Sequence, residues 1–332
     1  MKSKNILIIG SGAWGTALAQ VLSDNKHNVF IYGNDKNQIQ DINQNHQNSQ
    51  YFGDISINWN IKASTDLNSL FQNINFDVIL FVVPSVALDS VLNDVEPYIN
   101  KSHILINAGK GFDNLGKTLH TIIKEKYPNN EVLSLLGPSH AEEVILRKLT
   151  FVDICDDNDL VGYMVAEMFD NFYFKTKVIN DTETAEFGCI MKNAVALMSG
   201  IYEGLGFGDN ARAALYTDGL NEMLLLASRK RLNERLLLGY TGAGDLAVTC
   251  YSQNSRNFQA GVQIGKSNYS TFEKNNTKTV EGIRTVKYLY EEANKLDINL
   301  PIINCLYHIL YENVEPLYAV DNLINKKSGL YK

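Results

Sequence analysis

No stretch of this 332-residue chain approaches the roughly 20 consecutive apolar residues that a bilayer-spanning helix needs. The N-terminal run Asn5-Ile6-Leu7-Ile8-Ile9 is too short for a signal-peptide core, and no cleavage pattern follows Gly10. Cysteine is scarce. Cys155, Cys189, Cys250 and Cys305 lie far apart with no C-x-x-C spacing, so free buried thiols in a reducing compartment are favoured over disulfides or zinc. The six histidines, among them His103, His120, His140 and His308, lack ligand spacing, and no metal is expected. No G-x-S-x-G nucleophile motif occurs, and no internal repeat. Positive charge is in deficit: 30 Lys and Arg stand against 37 Asp and Glu, a net charge of −7. That balance disfavours broad contact with nucleic-acid phosphates or an anionic membrane surface. A cytoplasmic protein is expected.

What is present is an ordinary globular composition, 45% hydrophobic and 20% charged, in a chain long enough for two cores. Asn5–Ile9 is continuously apolar and stops at glycine, as a buried parallel strand does. Residues 13–24 carry Ala17, Leu18, Val21 and Leu22 at helical spacing, and residues 28–32 make a second strand closed by Gly33-Asn34-Asp35. Further strands are predicted at 77–83, 103–107 and 131–135, with helices at 85–92 and 118–126 between them. Strands at 151–155 and 172–175 are expected at the sheet edge. This alternation predicts a doubly wound parallel sheet. Beyond about residue 180 the pattern turns helical: Asp181-Thr182-Glu183-Thr184 offers N-cap residues before a long helical run reaching about Tyr202, and further segments are predicted at 211–231, 281–293 and 302–312. Residues 267–277 are polar and predict an exposed loop. The expected division is therefore a dinucleotide-binding domain over 1–180 and a helical substrate and catalytic domain over 181–332.

Gly10-Ser11-Gly12-Ala13-Trp14-Gly15 follows a strand and opens a helix. In that context Gly10 permits the tight turn, Gly12 lets backbone approach a pyrophosphate, and Gly15 lets the helix pack closely. The helix N-terminus supplies amides and a positive dipole end. A structural glycine turn, or the similar loop of a methyltransferase, is the competing reading. Asp35 stands about 20 residues past the glycines, where an acid holds a ribose hydroxyl and favours NAD over NADP. An Asp there equally suits a helix N-cap.

Three further clusters carry candidate chemistry. Lys110 lies between Gly109 and Gly111 at a carboxyl strand edge, either in a ligand crevice or as a solvated loop lysine. Lys192 sits in the mostly apolar run 188–195; burial lowers a lysine pKa and suits it to protonating a carbonyl, whereas a lone lysine more often lies on an exposed face. Gly242-Ala243-Gly244-Asp245 precedes Ser255-Arg256-Asn257. Arg256 offers a phosphate-matching fork, and Asp245 can accept from a substrate hydroxyl. A turn and a surface arginine are the plain alternatives.

Taken together, the order of motifs resembles the bacterial-type NAD(P)-dependent glycerol-3-phosphate dehydrogenases. It comprises Gly10-Ser11-Gly12-Ala13-Trp14-Gly15-Thr16-Ala17-Leu18-Ala19, Lys110-Gly111, Gly137-Pro138-Ser139, Met191-Lys192-Asn193, the 204–212 segment, Gly244-Asp245-Leu246, Ser255-Arg256-Asn257 and Val280-Glu281-Gly282. The resemblance spans nearly the whole chain. It implies an N-terminal Rossmann domain, an all-helical C-terminal domain and an active site in the cleft between them. It also implies NAD(H)- or NADP(H)-dependent interconversion of dihydroxyacetone phosphate and sn-glycerol 3-phosphate for phospholipid synthesis, by a homodimer.

By the same resemblance Lys192 is the catalytic proton donor and acceptor, and Lys110 lies near cofactor and substrate, supplying positive field where oxyanion charge develops. Gly137, Ser139, Asp245, Ser255, Arg256 and Asn257 are implied substrate contacts. Ala13, Trp14, Asn34, Ala141, Arg256 and Glu281 are implied cofactor contacts. Three departures stand out. Phe187-Gly188 replaces a usual glycine pair, and Ala194 replaces an aliphatic residue. Asn34 replaces a usual histidine or arginine, which leaves the choice between NAD and NADP open. The rival readings are a hydroxy-acid dehydrogenase of the same architecture and a non-catalytic NAD(H) sensor. Motif order disfavours the first, and the joint presence of Lys110, Lys192 and Asp245 disfavours the second.

Overall fold

The computed structural model describes residues 2–113, 116–156, 158–277 and 279–329. The chain divides into two compact units, Met1–Thr182 and Glu183–Lys332.

Eight strands build the first unit: β1 (Asn5–Ile9), β2 (Asn28–Tyr32), β3 (Lys62–Ser64), β4 (Val78–Phe81), β5 (Ile104–Asn107), β6 (Val132–Leu136), β7 (Thr150–Cys155) and β8 (Phe174–Ile179). Their spatial order is β3-β2-β1-β4-β5-β6-β7-β8. β1 to β6 are mutually parallel, β7 runs antiparallel to β6, and β8 is parallel to β7. β1 is central, and its side chains alternate between two cores. Ile6 and Ile8 join the core on one face with Leu18 and Leu22 of the helix Ala13–Asp24. Leu7 and Ile9 join the other with Leu88, Leu92 and Leu119. Helices thus cover both faces, which is why β1 reads as an unbroken apolar run. The crossover β1–helix–β2 leaves the carboxyl ends of β1, β5 and β6 at one edge of the sheet, the edge at which open α/β sheets bind ligands.

In the second unit every element among the described residues is helical. The long helices are Thr182–Gly204, Asp209–Arg229, Arg256–Lys266, Glu281–Lys295, Pro301–Tyr311 and Pro316–Gly329. Met191, Val195, Met198, Met223, Leu226, Leu289 and Leu306 meet in one apolar core. Two of these helices pack backbone to backbone: a Cβ on Gly200 would lie 2.0 Å from the Phe258 carbonyl oxygen, and one on Gly204 would lie 2.4 Å from that of Val262.

Four expectations need correction. The 267–277 segment holds a helix, Tyr269–Asn275, rather than a loop. Asn268 caps it by accepting from the Thr271 amide at 2.9 Å, and the buried Phe272 anchors it in the core with the half-buried Tyr269 packed beside it. The strand expected at 77–83 ends at Phe81, ahead of Pro84, and the one expected at 172–175 runs instead over Phe174–Ile179. The helix expected at 85–92 is a 3₁₀ turn, Ser85–Ala87, followed by an α-helix, Leu88–Val95.

Candidate functional site

In the first unit the glycines of the β1 turn have distinct tasks. Gly10 has φ +122°, and a Cβ there would lie 2.2 Å from the Val82 carbonyl oxygen. A Cβ on Gly15 would lie 2.0 Å from the Gly10 oxygen, so this glycine sets how closely helix and strand pack. Gly12 differs. Nothing comes nearer to its Cβ position than the Tyr51 hydroxyl at 4.0 Å, and as N-cap it offers the helix no side chain. Its uncrowded, half-buried backbone and the first-turn amides form a cradle that fits the pyrophosphate of a dinucleotide. Trp14 is held by its indole, which donates to the Ala108 carbonyl at 3.1 Å. That contact ties the first helix to the end of β5.

β5 and β6 deliver the next group. The Gly109 amide donates to the Asn107 side chain at 3.0 Å, which bends the chain off β5 and presents Lys110. The half-buried Lys110 ammonium donates to the Gly137 carbonyl at 2.8 Å, and Ser139 donates to the same oxygen at 3.2 Å. Gly137 itself has φ +142°, a conformation that favours glycine. Lys110 and Ser139, 29 positions apart in sequence, therefore share the Gly137 oxygen. Ala141 opens the short helix that follows.

Asn34 is exposed. Asp35 is the N-cap of the helix Lys36–Gln44, its Oδ1 accepting from the amides of Asn37 at 2.9 Å and Gln38 at 3.3 Å.

In the second unit Lys192 lies on the inner side of the helix Thr182–Gly204 and is buried, so the exposed-face reading fails. Its Nζ is 2.5 Å from Oδ1 of Asp245, which is also buried. A π-helical turn, Tyr240–Gly244, leads into the helix Asp245–Tyr251 and places the carboxylate at its first residue, where the helix dipole favours negative charge. Two thiols flank the pair. The Cys189 thiol, one turn before Lys192, donates to the other oxygen of Asp245 at 3.4 Å. Cys250 is buried nearby, and burial pushes its pKa up to about 12, so it stays neutral. Of the Phe187-Gly188 pair, Gly188 is held to glycine: a Cβ there would lie 2.4 Å from the Thr241 carbonyl oxygen, so the helix meets the π-helical turn at this point, while Phe187 packs into the core. Ala194 is fully buried.

Ser255 caps the helix Arg256–Lys266, accepting from the Phe258 amide at 3.2 Å. Arg256 is exposed at its first position. Asn257 is buried, and both ends of its amide are engaged inside the protein. Its Nδ2 donates to Asn193 Oδ1 at 2.8 Å, and its Oδ1 accepts from the Gly282 amide at 2.8 Å. One side chain thus joins the residue after Lys192 to the start of the helix that opens with Glu281. The 204–212 motif has a different task. Arg212 pairs with Glu203 at 3.3 Å and with Asp209, and lies over the rings of Tyr251 and Phe258, bracing a helix corner.

Reading the residues missed the donor role of Cys189 and the bond between Asn193 and Asn257. Cys189 had a signal in its spacing, three residues before Lys192 and so on the same helix face. The asparagine pair is 64 positions apart and had none. Among the described residues no cluster of His, Cys, Asp and Glu could hold a metal ion, and no helix is long and apolar enough to cross a membrane.

Residues 5–160 match the N-terminal domain, and residues 181–321 the C-terminal domain, of NAD-dependent glycerol-3-phosphate dehydrogenase. The chain is 38% identical over 329 residues to the glycerol-3-phosphate dehydrogenase [NAD(P)+] of Enterococcus faecalis, covering 98% of this chain and 96% of that one. It is 39% identical over 327 residues to that of Bacillus thuringiensis, covering 97% and 95%. The crystal structure of glycerol-3-phosphate dehydrogenase from Coxiella burnetii superposes with a TM-score of 0.89 at 29% identity, covering 97% of this chain and 99% of that one. D-mandelate dehydrogenase shares the fold at 14% identity, with a TM-score of 0.61. With both domain models matched in order over nearly its whole length, the chain belongs to the NAD-dependent glycerol-3-phosphate dehydrogenase family.

Proposed function

We propose that Lys192 is the proton donor as dihydroxyacetone phosphate is reduced to sn-glycerol 3-phosphate, the NAD(P)-dependent reaction of this family. The buried Lys192–Asp245 pair carries the reading. A lysine taken out of water and held at 2.5 Å by a carboxylate has a fixed direction and a proton to give. Asp245 holds the ammonium and, on this reading, also accepts from a substrate hydroxyl. Arg256, exposed at a helix N-terminus, binds the substrate phosphate with Ser255 and the backbone of Asn257. Lys110, Gly137 and Ser139 form a second polar group, in which Lys110 supplies positive charge toward the developing alkoxide.

On this reading residues 1–180 hold the dinucleotide and residues 181–332 carry the substrate and catalytic groups. NAD(P)H supplies the hydride when bound. Gly10, Gly12, Ala13, Trp14 and Gly15 would hold its pyrophosphate, Asn34 and Asp35 its adenosine ribose, and Lys110, Ala141, Arg256 and Glu281 would complete the contact. A cytoplasmic homodimer is part of the same proposal, checked by light scattering and fractionation.

The test is loss of reduced-cofactor absorbance near about 340 nm on mixing protein, NADH or NADPH, and dihydroxyacetone phosphate. The expected result is turnover that requires the phosphate ester. No turnover with either cofactor, or equal turnover of a 2-oxo acid, would overturn it.

A further inference from the structure

Behind the β1 turn lies a closed ring of hydrogen bonds that begins and ends on Ser11. The Ser11 hydroxyl donates to Oε1 of Gln38. Gln38 Nε2 donates to Oδ1 of Asn48 at 3.0 Å. Asn48 Nδ2 donates back to the Ser11 carbonyl at 2.9 Å, and also to the Thr16 hydroxyl at 2.7 Å. Ser11, Thr16, Gln38 and Asn48 are all at most 8% exposed. The direction of the ring fixes both amide orientations, because each oxygen has a donor and each nitrogen an acceptor. Gly33 makes room for it: a Cβ there would lie 2.1 Å from the Ser11 hydroxyl.

The ring grips residues 11 and 16, the two sides of Gly12 and of the first helical turn. It also passes through Gln38, in the first turn of the helix that Asp35 caps. We infer that Gln38 and Asn48 are positioning residues for the cofactor. They hold the Ser11 carbonyl inward, so that the amides beyond Gly12 face outward before any dinucleotide arrives. A loop left free to rotate its peptide planes would have to order them on binding, and affinity would drop by that cost. Neither residue reaches the cradle surface, so each acts through Ser11 and Thr16.

This inference rests on the reading that the Gly12 turn holds the pyrophosphate, and the experiment separates the two. Binding of NADH is measured by fluorescence titration for Asn48→Ala, Gln38→Met, Ser11→Ala and Gly12→Val. Steady-state kinetics and thermal melts are run on the same proteins. Gly12→Val fills the open side of the turn without touching the ring, and if it leaves binding unchanged, the reading of the turn fails. Asn48→Ala removes the short bond to the buried Ser11 carbonyl, leaving it only the Thr16 hydroxyl at 3.5 Å, and should raise the NADH Kd by about 10- to 100-fold. Both kcat at saturating cofactor and KM for dihydroxyacetone phosphate should stay within about threefold, and Asn48→Asp, which cannot donate to Ser11, should not rescue. Ser11→Ala is a small change that opens the ring at one bond and should weaken binding about three- to tenfold, so it decides the matter if Asn48→Ala does not fold. If Gly12→Val abolishes binding while the ring variants lower only the melting temperature, the ring stabilises the fold alone and the inference is overturned.

Discussion

Lys192 and Asp245 stand 53 positions apart in the chain, yet their charged atoms lie 2.5 Å from each other in the core of the helical unit. Neither charge is stable there alone, since a buried ion without its partner is strongly destabilising. The pair thus joins the helix Thr182–Gly204 to the π-helical turn, and on the role proposed for Lys192 stability and catalysis depend on the same contact. Lys192→Ala should lower kcat by about 10² to 10⁴ through loss of general acid catalysis, with the NADH Kd unchanged within about twofold. It should also lower the melting temperature, because the Asp245 carboxylate is left buried and unpaired. The double variant Lys192→Met/Asp245→Leu should recover the melting temperature but not the activity. A Lys192→Ala enzyme with more than about a tenth of wild-type kcat would exclude Lys192 as the proton donor.

The position of Asp35 served two readings in the sequence; the structure shows the cap, and the ribose contact is part of the proposed site. Oδ1 caps the helix, accepting two amides. Serine can cap in the same way but carries no charge. Asp35→Ser should therefore leave the melting temperature nearly unchanged and weaken NADH more than NADPH, whose 2′-phosphate gains no benefit from a carboxylate. Asp35→Ala should show the same shift in preference plus a stability loss of about 0.5–2 kcal/mol. Fluorescence titration with both cofactors, beside thermal melts, checks this; equal weakening of both cofactors would leave the residue as a cap alone.

What was legible in the sequence follows from how locally each feature is specified. β1, the glycine turn and the first helix are read from one continuous stretch, because an apolar run, a glycine pattern and a 3.6-residue spacing are all local. β3 is the opposite case. Lys62-Ala63-Ser64 has no strand character of its own, and it is a strand because Phe30, Ile31 and Tyr32 pair with it in parallel register. The helix Tyr269–Asn275 hides behind its polarity, since only Phe272 is buried, with the half-buried Tyr269 packed beside it and a cap at Asn268. At the site, Lys192 could be named from its apolar neighbours, but its partner could not. Ion pairing across 53 residues is a product of tertiary packing, as is the engagement of the Asn257 amide by Asn193 and Gly282.

Two buried histidines give the first unit a pH dependence of known sign. His27 accepts from the Lys4 amide at Nδ1, 3.1 Å away, and His103 accepts from the Asn100 amide at Nδ1, also 3.1 Å away. Burial holds both imidazoles below their usual range; for His103 this outweighs the opposing charge of Asp77, and for His27 it outweighs the backbone of Met168 and Asp77. The unfolded chain therefore takes up protons first, near about pH 6.5. The stability these residues contribute is present above that pH and is lost as pH falls toward their folded values. Melting temperatures should decline between about pH 7 and 5, and the double variant His27→Gln/His103→Gln should flatten that decline. An equal slope in the variant would assign the decline to other groups.

Arg256 is the last element of the proposed site, and its geometry sets a sharp test. It is exposed at the first position of its helix, forms no ion pair with any described residue, and lies beside amides of the first turn that Ser255 does not occupy. A phosphate placed there would meet a planar guanidinium fork and a helix N-terminus together. Glutamine keeps part of the length and removes the charge. A charge-assisted hydrogen bond contributes about 1.5–3 kcal/mol, so Arg256→Gln should reduce the preference for dihydroxyacetone phosphate over dihydroxyacetone by about 10- to 150-fold in kcat/KM. The comparison must be made at saturating cofactor, because the same arginine is proposed to touch the dinucleotide, and any loss of cofactor affinity then cancels between the two substrates. The melting temperature should barely move, since an exposed, unpaired side chain contributes little to the fold. Equal losses for both substrates would place the phosphate elsewhere, on Lys110 or on the helix amides alone.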